Sequence, residues 1–378
     1  MAGDRFRPDR YHSAAPGQVV PQYSTTWSTP RPELGETVRH VVIEGPGNVR
    51  VDEAPDPSPP GPGGAVVSVD ATAICGSDMH FYDGDLDLGM TIPVGHEFLG
   101  TVLEVGPDVK RIRVGDRVLT ASVAGCGACD GCATGDPVRC VEGPKVFGSG
   151  MLPGGQATAV AVPAADFQML PIPDGMDDEA ALLLTDNLST GWAGAQRAEF
   201  PLGGTVVVLG LGAVGLCAVR SALALGAGRV LAVDPVEGRR ARAVDSGAEA
   251  VEGPTVGAVL EATGGRGADA VIDAVAKDVT LDAALAAVRP GGTVSVIGVH
   301  DLEPYPLPAL MTLFRSVTLR MTTAPVHRTW AELVPMVQHG RLRTDGIFTH
   351  EFALEDAAVA YAAVAERSPD CIKVLLRP

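Results

Sequence analysis

Thr205-Val206-Val207-Val208-Leu209-Gly210-Leu211-Gly212-Ala213-Val214-Gly215 is the stretch whose reading decides the fold. The first five residues read as a buried strand, and a G-x-G-x-x-G turn then opens a helical run that lasts to Gly226. A second strand over 229–234 ends in an acid, Asp234. Strand, glycine turn, helix, strand and terminal carboxylate in that order form the dinucleotide-binding pattern, whereas a glycine triplet alone says little. Gly210, Gly212 and Gly215 let the backbone approach a pyrophosphate, and amides at the helix start, around Ala213 and Val214, favour its charge. Asp234 can bind the adenosine ribose hydroxyls. A carboxylate there accepts from a free 2′-hydroxyl and repels a 2′-phosphate, which favours NAD. Arg239 and Arg240 follow closely and could cradle a phosphate if Asp234 turned away, so NADP stays open.

Downstream, strands are expected at 268–274 and, after the turn Pro290-Gly291-Gly292, at 293–299, with a helix near 279–288 between them. Alternating strands and helices predict an α/β fold with a parallel doubly wound sheet. Beyond about residue 324 come a helix around 329–339, an alanine-rich helix from 354 to about 366 and an apolar strand at 372–376. Upstream, from Val38, short apolar runs are separated by Gly and Pro, as in 65–69, 100–105 and 117–119, and 154–162 reads as a further strand. These are the marks of an irregular β-rich domain. The expected division is 37–189 and 325–378 for the β-rich domain, completed by the returning tail, and 190–324 for the nucleotide domain. Residues 1–36, rich in Pro, Ser, Thr, Arg and Gly, read as a disordered extension.

Two groups of cysteine and histidine stand out in the β-rich part. Cys126, Cys129 and Cys132 are followed by Cys140, at intervals of three, three and eight, inside a lobe spanning 125–145. Four thiolates so close can close a tetrahedral shell around a structural zinc, with backbone amides and Arg139 or Lys145 partly offsetting its charge. The other group is Cys75-Gly76-Ser77-Asp78-Met79-His80 together with Gly95-His96-Glu97. Thiolate and imidazole suit a catalytic zinc, and Cys75 and His96 supply two of the three ligands it needs. Taken singly, a cysteine packs as a small hydrophobe and a histidine as a satisfied loop residue, so the pair needs support from elsewhere. Asp186, within Thr185-Asp186-Asn187-Leu188-Ser189-Thr190-Gly191, reads on its own as a solvated acid at a helix end.

Composition narrows the function. Of 378 residues, 46% are hydrophobic and 20% charged, and the formal charge is −17, which opposes binding to nucleic acid or an anionic membrane and fits small neutral substrates. The charge-free run between Glu199 and Arg220 is interrupted by Pro201 and five glycines, which disfavours a membrane span. Seven cysteines are too few for a disulfide scaffold, and the N-terminus lacks the apolar core of a secretory signal, so a cytoplasmic location with reduced thiols is expected.

From about residue 38 to the C-terminus these motifs resemble the zinc-dependent medium-chain alcohol dehydrogenases. The resemblance implies a GroES-like catalytic domain joined to a Rossmann domain, with one catalytic and one structural zinc. Cys75 and His96 match catalytic ligands, and Asp186, four residues before Thr190-Gly191, stands where the family has its third ligand. An aspartate there is similar to the branch holding glutathione-independent formaldehyde dehydrogenases and bacterial secondary alcohol dehydrogenases. Glu97 matches the acid beside the metal, Ser77 and His80 a proton relay to solvent, and Asp78 the acid that orients the ligand histidine. Thr190, Val275, Gly298 and Val299 resemble the nicotinamide surface, and Lys373 is expected near the cofactor phosphates. Phe81, Tyr82, Met90, Met151 and Trp192 are apolar candidates for a substrate pocket.

The implied reaction is hydride transfer between an alcohol and NAD(H), or the reverse from an aldehyde or ketone, in a homodimer or homotetramer. Alternatives are an NADP-dependent biosynthetic reductase and a formaldehyde dehydrogenase or dismutase. A non-enzymatic nucleotide sensor fits less well, because the catalytic ligands are all present.

Overall fold

The computed structural model describes residues 37–253 and 255–378, and the expectation for 1–36 lies outside the described residues. Thr205–Leu209 lies inside a six-stranded parallel sheet, flanked by Arg229–Val233 on one side and Ala268–Asp273 on the other. Glu249–Ala250 closes one edge, and Val288–Val296 and Thr318–Met321 the other. All five residues of Thr205–Leu209 are buried, which is why this strand reads as an unbroken apolar run rather than an alternating one. The chain leaves it for one neighbour and later returns to the other, so a crevice opens where the order reverses, at Gly210.

The β-rich part is built on a seven-stranded sheet. Ala65–Ile74 runs through its centre, pairing antiparallel with Glu97–Val105, Ala159–Val162 and Lys373–Arg377. The last of these pairings, Val374 with Ile74, brings the end of the chain back beside Cys75. A three-stranded sheet of Asn48–Pro55, Thr37–Gly45 and Ile92–Pro93 packs nearby.

Local differences from the sequence reading have physical causes. Only Ala159–Val162 of the stretch 154–162 is a strand. Ahead of it, the amides of Gly155 and Gln156 bond Gly95 and Val94, and a Cβ on Gly154 would meet the Val94 carbonyl at 2.1 Å. The strand read at 293–299 starts earlier, as Val288–Val296, and stops because the Ile297 and Gly298 amides both turn to the Asp273 carbonyl. The sequence reading also carries no helix over 187–197. After Asp178–Thr185 the chain breaks at Asp186 and resumes helical form as Asn187–Arg197.

That second helix joins the two halves. Gly191 lies against the helix Ala213–Ala224 so closely that a Cβ would stand 2.6 Å from the Ala218 amide nitrogen. Leu182, Leu184, Leu188 and Trp192 share one core with Val206, Val208 and Leu216. The helix Val326–Gln338 braces it: Trp330 Nε1 donates to the Leu184 carbonyl at 2.9 Å, and Thr329 bonds Ser189 at 2.9 Å. The break at Asp186 is thereby fixed against the helix Ala213–Ala224.

Candidate active site

Cys75 leaves the end of Ala65–Ile74, and the turn after it is held by Asp78, whose Oδ2 accepts the Cys75 amide at 2.9 Å. The other oxygen of Asp78 stands 3.4 Å from His96 Nδ1. Gln156 Nε2 donates to Asp78 at 3.2 Å, and the buried Tyr361 hydroxyl donates to Gln156 at 2.9 Å. Gln156 and Tyr361 therefore support the histidine through Asp78, a role with no signal in the residues around them. With Nδ1 engaged, Nε2 of His96 faces Asp186 Oδ2 at 3.8 Å, and Cys75 Sγ lies 3.9 Å from the same oxygen. Zinc bonds of 2.0–2.3 Å place neighbouring donors roughly 3.3–3.8 Å apart, so this set fits the ion.

One donor atom from each of Cys75, His96, Glu97 and Asp186 lies within 4.8 Å of the others. The chain thus brings together residues separated by more than a hundred positions in sequence, 75 and 186. Asp186 is not a solvated helix end. Ser122 and Thr190 donate to its Oδ1 at 3.0 and 3.4 Å, leaving Oδ2 toward the other donors.

Electrostatics follow from this crowding. Burial alone lowers the His96 pKa, but the charges of Cys75 and Asp78 and the hydrogen bond with Asp186 outweigh it and hold the pKa well above the usual imidazole value. Burial raises Glu97 against the pull of Lys373, whereas for Asp186 the hydrogen bond and charge of His96 overcome burial and lower it. Lys373 Nζ bonds Glu97 Oε1 at 2.5 Å with both side chains almost fully buried. Lys373, expected near the cofactor phosphates, lines the cleft between this site and the glycine turn and pairs with Glu97: a buried ammonium needs an anion beside it, and Glu97 is that anion.

A cleft of about 1770 Å³ runs from these residues to the glycine turn. It is lined by Ser77, His80, Thr190, Val275, Gly298 and Val299, and at its far end by Asp234 and Arg239. Pockets for single small ligands are typically about 300–1,000 Å³, so this one has room for a dinucleotide with a substrate. Gly210 sits at φ +83°, and a Cβ on Gly215 would strike the Gly210 carbonyl at 1.8 Å, so both positions require glycine. Asp234 accepts the amides of Leu211 and Val236, each at 2.8 Å. Arg240 is turned to the carbonyls of Asp234 and Pro235, and Arg239 Nη2 to that of Cys371. His80 Nδ1 meets Asp85 at 3.1 Å, and Lys277 of the nucleotide half stands 3.9 Å from the same carboxylate.

None of the five apolar pocket candidates lines the cleft. Tyr82 stacks on Tyr361 beside Phe81, Trp192 is core with its indole nitrogen bonded to Glu332, and Met90 and Met151 are exposed. Val123, Val146 and Met321 line it instead.

Cys126, Cys129, Cys132 and Cys140 form a second cluster, with Cys126 and Cys132 sulfurs 3.9 Å apart and the Cys126 amide donating to Cys140 Sγ at 3.3 Å. Amides of Cys132 and Val141 bring the Cys129 pKa down to about 6, while burial pushes Cys132 up to about 12. Backbone amides therefore carry part of the charge compensation, and Lys145 faces Glu142 at 3.9 Å.

Residues 61–174 match the alcohol dehydrogenase GroES-like domain family, and residues 213–339 match the zinc-binding dehydrogenase family. The chain is 57% identical to a probable zinc-binding alcohol dehydrogenase of Mycobacterium tuberculosis over 341 residues, covering 90% of this chain and 89% of that protein. The alcohol dehydrogenase TADH from Thermus sp. ATN1 superposes with a TM-score of 0.82 at 34% identity, over 90% of this chain and 99% of that one. A Sinorhizobium meliloti protein solved with NADP bound gives 0.77 at 28% identity, over 91% and 100%. The chain belongs to the zinc-dependent medium-chain alcohol dehydrogenases and has their GroES-like and Rossmann-type parts.

Proposed function

We propose that this protein transfers a hydride between a small alcohol, or the matching aldehyde or ketone, and NAD(H), with Cys75, His96 and Asp186 holding a catalytic zinc. The observation that carries this is the placement of those three donors at one end of a cleft whose other end is the Gly210–Gly215 turn and Asp234. A zinc held there supplies Lewis acidity toward the substrate oxygen. Thiolate, carboxylate and neutral imidazole balance its charge, and Glu97 is balanced separately by Lys373. Ser77 and His80, both on the cleft wall, carry the substrate proton outward, and Asp85, also on that wall, holds His80. Thr190, Val275, Gly298 and Val299 shape the nicotinamide end.

NAD is favoured because Asp234 keeps a carboxylate at the ribose position, while Arg240 is engaged with backbone carbonyls rather than aimed at a 2′-phosphate. A second, structural zinc belongs to the four-cysteine cluster. The return of Lys373–Arg377 to the β-rich sheet supports assigning the tail of 325–378 to the β-rich part, while the boundary at 189/190 falls inside the helix Asn187–Arg197. Self-association into a dimer or tetramer is supported by exposed Leu310, Met311, Leu313 and Phe314 beside the edge strand Thr318–Met321. A cytoplasmic location accords with seven free cysteines, and no helix among the described residues is long and apolar enough to cross a membrane. The test is a panel of primary alcohols, secondary alcohols, polyols and formaldehyde with NAD and NADP in parallel, with zinc analysis. Alcohol-dependent reduction of NAD and two zinc ions per chain are expected. No turnover with any member, or a marked preference for NADP, overturns the corresponding part.

A further inference from the structure

Asn187 follows Asp186 directly and opens the helix Asn187–Arg197, with its side chain fully buried. Its Nδ2 donates to Glu97 Oε1 at 3.0 Å and to Asp186 Oδ2 at 3.2 Å, and stands 4.0 Å from Cys75 Sγ. An amide nitrogen carries two hydrogens, so one neutral group serves both carboxylates. The opposite amide orientation would turn an oxygen toward two carboxylates, so the surroundings fix which way Asn187 points. Asp186 Oδ2 is also the oxygen that faces Cys75 and His96. Among the described residues the Glu97 carboxylate is hydrogen-bonded through Oε1 alone, by Asn187 and Lys373, with that oxygen 3.9 Å from His96 Nε2, while its Oε2 is buried without a hydrogen-bond partner.

We propose that Asn187 is a positioning residue that keeps Glu97 off the metal site while holding Asp186 on it, so that three protein donors rather than four address the ion. This rests on Cys75, His96 and Asp186 being the ligand set. The charge arithmetic shows why a neutral amide suits the position. Cys75 and Asp186 match a divalent cation, and Lys373 matches Glu97. A cation at 187 would upset the first balance and an anion the second, whereas an amide separates the carboxylates and changes neither. Lys373 holds Glu97 by a single charge-assisted hydrogen bond to Oε1, which leaves the carboxylate free to turn about that oxygen. The second hydrogen bond, from Asn187, fixes direction and leaves Oε2 turned away from use. Without that bond Glu97 can swing about Lys373 and offer Oε2 as a fourth protein donor, weakening the Lewis acid. Helix formation does not explain the side chain, because Asp186 is the residue at the N-cap and Asn187 donates to no backbone group.

The test loads full-length protein with Co²⁺ and reads its visible d–d absorption, with Cys75→Ala providing the spectrum of the four-cysteine cluster for subtraction. Asn187→Leu is expected to weaken and shift the bands of the Cys75 site as coordination number rises, and to lower kcat by about 10–100-fold. In Asn187→Leu/Glu97→Gln the bands are expected to return toward those of the unaltered protein, which a merely structural defect would not do. Asn187→Ala reads the same change if the leucine variant does not fold. Bands unchanged in a folded Asn187 variant, or not restored by Glu97→Gln, overturn the proposal. Should the unaltered protein show no bands that Cys75→Ala removes, the ligand set itself is wrong, and that failure is distinct.

Discussion

The two cysteine-bearing sites are built in opposite ways. The four-cysteine cluster is assembled within residues 126–140, from like donors on one lobe, and amides of the same lobe face its sulfurs. The Cys75 site draws a thiolate, an imidazole and a carboxylate from three separate segments, and its counter-charge, Lys373, comes from the last strand of the chain. A local cage holds its shape through short-range turns. A site gathered from remote segments depends on the packing of the whole molecule, and in exchange it can face a cleft, mix ligand types and keep an acid such as Glu97 in reserve.

The contrast can be broken most severely at Cys75. Cys75→Ala should lower kcat/KM by about a thousandfold or more while leaving NAD binding intact, measured by turnover and by cofactor fluorescence titration. Unchanged alcohol oxidation would mean that the remote site is not catalytic. At the local site, Cys129→Ser should cost several kcal/mol, a share of the roughly 10 kcal/mol that structural zinc supplies to small domains. Urea midpoints and zinc content check this, and loss of both zinc ions together would show that the two sites are not independent. Lys373→Met should leave a buried, uncompensated carboxylate and destabilise the protein by about 3 kcal/mol, with Lys373→Arg restoring part of it. A variant as stable as the parent would show that Glu97 is protonated there.

The smallest effect concerns the strut between the two regions. His327 opens Val326–Gln338, stacked on Phe167 at 4.1 Å, and its neighbour Arg328 packs on Gly135 of the cysteine lobe. Burial pushes the His327 pKa down to about 3. The folded form therefore binds fewer protons than the unfolded form, whose histidine titrates near 6.5. Its contribution is complete above that value and is lost as pH falls from about 6.5 toward 3, amounting to about 1 kcal/mol at pH 5 after allowance for partial solvent contact. His327→Gln should flatten that part of the stability-against-pH curve, measured by urea unfolding at pH 5 and 7. An unaltered slope would remove His327 as its source.

The local pieces were readable in order. Thr205–Leu209 with its glycine turn, and the cysteine spacing 126–129–132–140, each carry their own geometry within a few turns of chain. Asp186 was readable only through the likeness to a family, because nothing near it in sequence tells an inward-facing carboxylate from a solvated one. Asn187, Gln156 and Tyr361 left no trace at all. Each acts by a hydrogen bond to a residue distant in sequence or by an orientation set by packing. The five apolar pocket candidates were misplaced, and the pairing of Lys373 with Glu97 went unread, for the same reason: residue type says what a side chain can do, not which neighbour it meets.

The sequence by itself determined the class of fold, the Gly210–Gly215 turn and the local cysteine cluster, because each rests on spacing along the chain. Only the tertiary structure decided that Cys75, His96 and Asp186 converge, that Lys373 neutralises Glu97, and that Asn187 stands between two carboxylates. Those contacts depend on the pairing of Lys373–Arg377 with Ala65–Ile74 and on the packing of Gly191 against Ala218, which join segments far apart in the chain. Long-range burial sets such contacts, and it leaves no periodic mark in the residues it brings together.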